Sequence, residues 1–551
     1  MEFIKGMDIS SYQEMRDKGK IYYDAMGQQV DAIALAKKSG ANYIRLRIWN
    51  DPSKVEESGG YCGFCEIIET AKKIKEQHMG FLLDFHYSDW WADPANQKKP
   101  KAWEHLSVEE LKAAVYEYTK MVMETLKLHQ VYPDMVQIGN EIRTGMLFPE
   151  GAVPNWKNLA LFLNAGISAV RDVADVPKIK VMIHLDQGGK YAYFKEWFDE
   201  IIKNGVTDFD VIGLSYYPFW HGTYEAFKNT MEQLVIRYEK ELIVAETAYP
   251  YRRSKGSFFG EAQERAGGFL ASEENQKKVM DMVFCITANV SKKKGIGIFY
   301  WEPFTYGGED ENGWGNYMGF VKEDGTLTQG ILSYQSDPYA MPKNEVAKIY
   351  LPMVFENQPK EEVETMMAKV LYMDGTTKKV PIGLDGTYDV TKEESFVYVN
   401  GERLTLKKEQ LAEGENLVKN PEFFQNDQSW EIYMDNDVTI KKEENEGLFF
   451  QGRTNFQLSV SQKIINLQKG IYQPYLLYEG ENTTGVEISF FVKTKDEEKE
   501  VSVFPDTEKE AYFKTEQLEI KNENEEITVG VNIQSPPVWG KIRKISFIQL
   551  S

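Results

Sequence analysis

Two glutamates end strand-like runs far apart in the sequence. Glu141 closes Val136-Gln-Ile-Gly-Asn-Glu141, and Glu246 closes Leu242-Ile-Val-Ala-Glu246. Two carboxyl groups presented from strand ends are what hydrolysis of a glycosidic bond needs: one protonates the leaving oxygen, the other attacks or activates water. Either glutamate alone reads as a solvated loop residue; it is the pair that points to chemistry. Other strand ends carry groups that would serve such a site. Arg45 and Arg47 share one strand face because side chains alternate, and one of them could hydrogen-bond a nucleophilic carboxylate and hold it ionised. Asp84 and His86 share the next face, with His86 able to meet sugar hydroxyls. His184, Tyr217 and Trp301 end further runs, Tyr217 as a donor to the nucleophile and Trp301 as a floor beneath a sugar ring.

The elements that must position these groups repeat. Runs at 3–8, 43–49, 80–86, 135–141, 180–184, 210–217, 242–246 and 297–301 alternate with helical patterns such as 29–39, 64–77, 108–128, 156–173, 227–240 and 274–290. About eight strand–helix alternations predict an α/β fold, a (β/α)8 TIM barrel over residues 1–338, whose active site lies at the C-terminal strand ends. No Gly-rich phosphate loop follows the first run, which disfavours an open dinucleotide-binding sheet. A Pro-containing stretch, Ser336-Asp-Pro-Tyr-Ala-Met-Pro342, reads as a linker. Beyond it, Asp374-Gly375, Asp385-Gly386 and Asn400-Gly401 between β-prone runs predict a small all-β, Ig-like module over 344–412. Residues 414–551 read as a β-sandwich. Its opening, Asn416-Leu-Val-Lys-Asn-Pro-Glu-Phe423 followed by Trp430, is similar to jelly-roll carbohydrate-binding modules, with Trp430, Trp539 and Tyr472 as candidate stacking residues.

Specific motifs then narrow the reading. They are Lys5-Gly-Met-Asp-Ile-Ser-Ser11, Arg45-Leu-Arg-Ile-Trp-Asn-Asp-Pro52, and above all Asp84-Phe-His-Tyr-Ser-Asp-Trp-Trp-Ala-Asp-Pro94 with Gln97, Pro100 and Trp103. Gln137-Ile-Gly-Asn-Glu-Ile142 with Gly145, Gly213-Leu-Ser-Tyr-Tyr-Pro218, Glu246-Thr-Ala-Tyr-Pro250 and Tyr300-Trp-Glu-Pro303 follow. Over roughly residues 3–335 the chain resembles the endo-β-1,4-galactanases, family 53 of the glycoside hydrolases. The resemblance implies a barrel that cuts β-1,4-galactan, as in arabinogalactan side chains of pectin, with retention of configuration. It implies Glu141 as acid/base and Glu246 as nucleophile, Asn140 on the sugar 2-hydroxyl, and Arg47, His86, Tyr217 and Trp301 around the reacting sugar. Asp84 and His184 join the substrate-binding set, and Asp89 and Trp91 are expected in a subsite. Trp90 departs from the small or polar residue common at that place. No cofactor is required; bacterial members can hold a calcium ion, for which Gly308-Glu-Asp-Glu-Asn-Gly313 is acidic enough but lacks a defined ligand spacing.

Composition excludes other classes. A net charge of -21 argues against a nucleic-acid partner. No apolar run is long enough to span a membrane. Cys62-Gly-Phe-Cys65 lacks the further ligands of a zinc site and reads as a local disulfide or two free thiols. The N-terminus carries no apolar signal segment, and a polysaccharide is met outside the cell, so the chain is read as a mature form of a secreted or cell-surface protein, acting as a monomer on β-1,4-galactan. Two alternatives stand beside this reading: a non-catalytic polysaccharide-binding surface protein, and the same chemistry on another β-1,4-glycan such as mannan or xylan.

Overall fold

The computed structural model describes residues 2–173, 179–253, 259–306, 317–352, 354–355, 360–384, 388, 392, 394–409, 415–423, 429–435, 438–443, 447–452, 456–480, 487–495, 497–503, 511–535 and 538–550. The acidic stretch at 308–313 and the Asp385-Gly386 turn lie outside them. The chain divides into two compact units, Met1–Ala347 with Tyr372–Thr376, and Lys348–Leu371 with Thr377–Ser551.

In the first unit eight parallel strands close a TIM barrel. They are β1 (Ile4–Asp8), β2 (Tyr43–Ile48), β3 (Gly80–Phe85), β4 (Met135–Ile138), β5 (Lys180–Leu185), β6 (Val211–Ser215), β7 (Glu241–Thr247) and β8 (Gly295–Trp301). Their interior-facing apolar residues, among them Leu82, Met135, Met182, Ile243 and Phe299, pack into one buried cluster. β8 pairs with β1, Gly297 lying opposite Ile4, which closes the ring.

The helices follow the sequence pattern, and their starts follow side-chain caps. Val108–Leu128 begins at Ser107, which shares a capping box with Glu110. The helix expected from Gln29 begins at Ala32, because Asp31 accepts the N–H of Ile33 as an N-cap. The preceding Gln29–Val30 pairs instead with Tyr22–Tyr23. The helix expected from Phe227 starts one turn earlier at Tyr224, capped by Thr223. Among the described residues no helix is long and apolar enough to cross a membrane.

The second unit is β-rich. Residues 367–371 pair antiparallel with 377–381. Glu394–Val399 and Glu402–Glu409 form a hairpin whose Asn400-Gly401 turn has two positive φ angles, the geometry the dipeptide predicts. Further along, one sheet orders Glu431–Met434, Phe456–Leu467, Glu525–Ser535, Glu487–Lys493 and Glu498–Ser502. A second orders Val438–Glu443, Gly447–Gly452, Trp539–Gln549, Gly470–Gly480 and Ala511–Lys514, with Leu518–Ile520 also paired to Gly470–Gly480. Inward residues of both sheets, such as Leu458, Val460, Phe490 and Val531 from one and Phe450, Leu476, Ile545 and Phe547 from the other, share one core. That is a β-sandwich. The core also claims two expected stacking residues. Tyr472 is fully buried against Phe547, and Trp430 packs on Phe423 while donating its indole N–H to the carbonyl of Asn420. Trp539 is only partly buried, stacked on Phe449.

Candidate active site

All eight barrel strands deliver a polar or aromatic group to one end of the barrel. The centre is Arg45 on β2, 1% exposed. Its Nη1 donates to Asp8 at 2.7 Å and reaches Glu246 Oε1 at 2.9 Å. Its Nη2 donates to Asp84 and to Asn140 Oδ1, both at 2.8 Å, and its Nε to Gln137 Oε1 at 3.2 Å. Strand register explains this fork: Asp8 lies opposite Arg45 in the β1–β2 pair, and Asp84 lies on the neighbouring β3. Burial works against the guanidinium charge, but Asp84, Glu246 and Asp8 outweigh it, so Arg45 stays protonated.

Glu246 is buried near the end of β7. A register shift between Leu214 and Ser215 puts Ser215, rather than Tyr216, opposite Glu246. Such a bulge re-aims side chains beside a site. Tyr217 donates its hydroxyl to Glu246 Oε2 at 3.0 Å. Burial and the neighbouring carboxylates Glu246 and Glu141 push the Tyr217 phenol well above its usual range, so it remains a neutral donor. An arginine was expected to hold Glu246 low. Instead burial lifts it to about 7, against the pull of Arg45, whose charge is shared with Asp8 and Asp84.

Glu141 follows β4 in the left-handed region, φ 48° and ψ 47°. That backbone costs a non-glycine residue about 1–2 kcal/mol, and strain of this kind collects at functional sites. Gly139 makes the turn possible: its φ is +79°, and a Cβ there would lie 2.7 Å from Ile142 Cγ2. Glu141 is partly exposed. Burial first, then the charges of Glu246 and Asp186, push its carboxyl well above the ordinary carboxylate range. The two carboxyls are therefore close enough to feel each other, yet unequal: Glu246 touches a guanidinium and a phenol, while Glu141 accepts a neutral serine hydroxyl, from Ser215 at 2.5 Å. When the pair holds one proton, this asymmetry places it on Glu141.

A family model for glycosyl hydrolase family 53 matches residues 4–330. The chain belongs to glycosyl hydrolase family 53. It is 44% identical over 336 residues to an uncharacterized protein in the bgaB 5′ region of Niallia circulans, covering 58% of this chain and 90% of that one. It is 37% identical over 311 residues to the endo-β-1,4-galactanase of Bacillus subtilis, covering 55% and 70%. Among solved structures, the Ignisphaera aggregans GH53 catalytic domain superposes with a TM-score of 0.57 at 40% identity, covering 61% of this chain and 96% of that one.

In this family 53 barrel the remaining expected residues fall into two groups. Asn140 and Tyr217 stand with the two glutamates, and Trp91 and Trp301 pack on each other at the strand ends. Trp91 packs against Trp49 at 5.5 Å and Trp301 at 5.8 Å between ring centres, and the Arg47 guanidinium lies 4.1 Å from its ring. The second group is engaged inside the protein. Arg47 donates to Glu302 at 2.6 Å; Arg45, not Arg47, is the arginine that meets Glu246. Asp84 is fully buried, holding Arg45 and His86. His86 Nδ1 accepts the indole N–H of Trp49 and the backbone N–H of Ala92, while Nε2 lies 3.1 Å from Asp84, so neither ring nitrogen is left for a sugar hydroxyl. Both oxygens of Asp89 accept backbone N–H groups, from Asp51 and Lys101, which ties the third loop down. His184 is fully buried behind Asn140 and Ser215.

Several residues of the site were not singled out from sequence: Asp8, Gln137, Ser215, Asp186, Arg143 and Glu302. Asp8 obeys the same strand-end rule that found the others. Glu302 comes just after β8 in a left-handed conformation, φ 51°, and accepts both Arg47 and the N–H of Ser11. Arg143 donates to Asp186 at 2.8 Å, across the β4 and β5 loops. Among the described residues no group of three or more His, Cys, Asp or Glu side chains is placed to hold a metal ion. Cys62, Cys65 and Cys285 are free thiols, and burial pushes that of Cys62 up to about 12.

Proposed function

We propose that the barrel hydrolyses internal β-1,4-galactosidic bonds of galactan, including arabinogalactan side chains of pectin, by double displacement with retention. The observation that carries this is the unequal pair: Glu246 held by Arg45 and Tyr217, Glu141 with its carboxyl pushed up. Protonated Glu141 donates to the glycosidic oxygen while Glu246 attacks the anomeric carbon and the C–O bond breaks. Water then attacks the glycosyl-enzyme, giving its proton to Glu141 and releasing Glu246. Asn140 Nδ2 donates one hydrogen to the carbonyl of Ala92. Its other hydrogen has no acceptor among the described residues and is assigned to the sugar 2-hydroxyl. Galactan is chosen because the Bacillus subtilis relative carries that activity in its name.

Proton NMR of linear β-1,4-galactan during digestion tests the reading. The β-anomer should appear first, with the α-anomer arising only by mutarotation. An α-anomer at first turnover excludes retention, and equal rates on mannan or xylan exclude specificity for galactan. No new reducing ends on any of the three would leave the polysaccharide-binding alternative.

For the second unit we propose an Ig-like module over 344–412 and a carbohydrate-binding sandwich over 414–551 that tethers a secreted or cell-surface enzyme to its polymer. Trp539 is the stacking candidate that the sandwich core leaves partly uncovered. Removing residues beyond 414 should weaken binding to insoluble galactan about tenfold or more, the scale of one or two stacked aromatic rings, and spare kcat on short oligosaccharides. Pull-down on insoluble galactan measures this; unchanged binding removes the role.

A further inference from the structure

Behind Glu141 stand two side chains that the proposed mechanism does not use. Ser215 Oγ lies 2.5 Å from Glu141 Oε1 and 2.8 Å from His184 Nε2, and both Ser215 and His184 are fully buried. His184 Nδ1 lies 3.1 Å from Gln137 Nε2 and 3.1 Å from Asn140 Oδ1. Burial pushes the imidazole well below its usual range, so it is neutral and carries one ring proton.

A serine hydroxyl has one hydrogen and cannot donate to both neighbours. Two orders are therefore open. In the first, Gln137 Nε2 donates to Nδ1, Nε2–H donates to Ser215 Oγ, and the serine hydrogen points at Glu141 Oε1. Gln137 is oriented for this, because its Oε1 accepts Arg45 Nε, which turns its Nε2 toward Nδ1 as well as toward the carbonyl of Gly139 and Asn140 Oδ1, each 3.0 Å away; the two lone pairs of Asn140 Oδ1 thus have donors in Arg45 Nη2 and Gln137 Nε2 without Nδ1–H. In the second, Nδ1–H donates to Asn140, Nε2 accepts the serine hydrogen, and Oε1 must itself be protonated to make a bond. Only the first survives a full catalytic cycle. A double displacement visits Glu141 both protonated and ionised, and a serine that donates to Oε1 satisfies both states without moving a hydrogen. It also leaves Oε2 as the oxygen that carries the proton toward the leaving group.

We propose that Ser215 and His184 are positioning residues for the acid/base, a fixed chain from His184 Nε2–H through Ser215 Oγ–H to Glu141 Oε1 that confines the transferable proton to Oε2 and supports the carboxylate when it acts as base. This rests on the reading of Glu141 as acid/base. The other ionisable groups facing Glu141 are Glu246, Asp186, Arg45, Arg143 and Tyr217, and those facing His184 are Arg45, His86 and His221. None of them lies in the chain, so removing the Ser215 hydroxyl leaves their charges in place.

The test is the pH profile of Ser215→Ala on a galacto-oligosaccharide. Loss of a donor to the carboxylate should raise the alkaline limb of kcat/KM by about half to one pH unit. It should lower kcat about tenfold with KM unchanged. His184→Gln, whose amide N–H can still donate to Ser215, should keep the wild-type limb, whereas His184→Leu should behave as Ser215→Ala does. Thermal unfolding of each variant checks that the barrel is intact. An alkaline limb that moves down shows the reverse hydrogen order, and a limb that stays put shows that the chain does not act on Glu141; either overturns the proposal. Glu141→Ala is run alongside. If it keeps full activity, the functional reading itself fails, and the positioning chain is refuted with it for a distinguishable reason.

Discussion

Glu246→Ala should lose about 10⁴-fold or more in kcat on galactan, the scale seen when a covalent nucleophile is removed. The fold should survive, because Arg45 keeps Asp8 and Asp84 as partners. Two further signs separate loss of a nucleophile from general damage. Azide, small enough to enter the space left by the carboxylate, should restore turnover and give a glycosyl azide of inverted configuration. The residual alkaline limb should also move toward acid, since the charge of Glu246 is one cause that holds the Glu141 proton in place. In the wild type, the attacking carboxylate must be ionised and the acid protonated. Burial lifts Glu246 to about 7 and pushes Glu141 up as well, so both limbs of the kcat/KM profile should stand above the ordinary carboxylate range. As pH falls, protonation of Glu246 removes the nucleophile; as pH rises, ionisation of Glu141 removes the acid. An alanine variant with activity within tenfold of wild type sinks the assignment.

Much of this site could be read from strand ends. A barrel puts chemistry at the C-terminal ends of its strands, so Glu141, Tyr217, Glu246 and Trp301 could be named from position in their runs alone. What could not be read was which side chains face one another. Arg45 and Arg47 share a face, and period alone ranks them equally. The β1–β2 register, with Asp8 opposite Arg45, decides that Arg45 goes to the centre and Arg47 to Glu302. Ser215 gained its place from a bulge, which no alternation pattern announces. Glu141 and Glu302 aim their carboxyls from left-handed backbone, a conformation that sequence periodicity does not encode for glutamate. His86 and Asp89 carry sugar-binding chemistry by type, yet the loop around them engages every polar atom that could reach a ligand. The sandwich shows the same division. Its strands alternate plainly, as in the buried–exposed rhythm of Phe456–Leu467, but alternation cannot say whether an aromatic such as Tyr472 faces the core or a sugar.

Arg45→Met should be the most destabilising single change in the barrel that leaves its volume nearly constant. The guanidinium is 1% exposed and fixes Asp8, Asp84, Glu246, Gln137 and Asn140 at once. Removing one partner of a buried ionic cluster costs about 3–5 kcal/mol, because the carboxylates left behind are neither solvated nor paired. Lysine should not rescue it, since a single ammonium cannot reproduce a planar fork that serves three carboxylates and two amides from separate nitrogens. Arg47→Met provides the control. It breaks one ion pair, to Glu302, against the five polar partners of Arg45, and its flat guanidinium otherwise lies on Trp91, so it should cost less. The urea midpoint of the barrel transition measures both. The acid limb of any remaining activity should rise in Arg45→Met, because the cation that pulls Glu246 down is gone and the Tyr217 hydroxyl is left against burial. A loss below about 1 kcal/mol, the range of exposed ion pairs, would refute Arg45 as the anchor of this buried cluster.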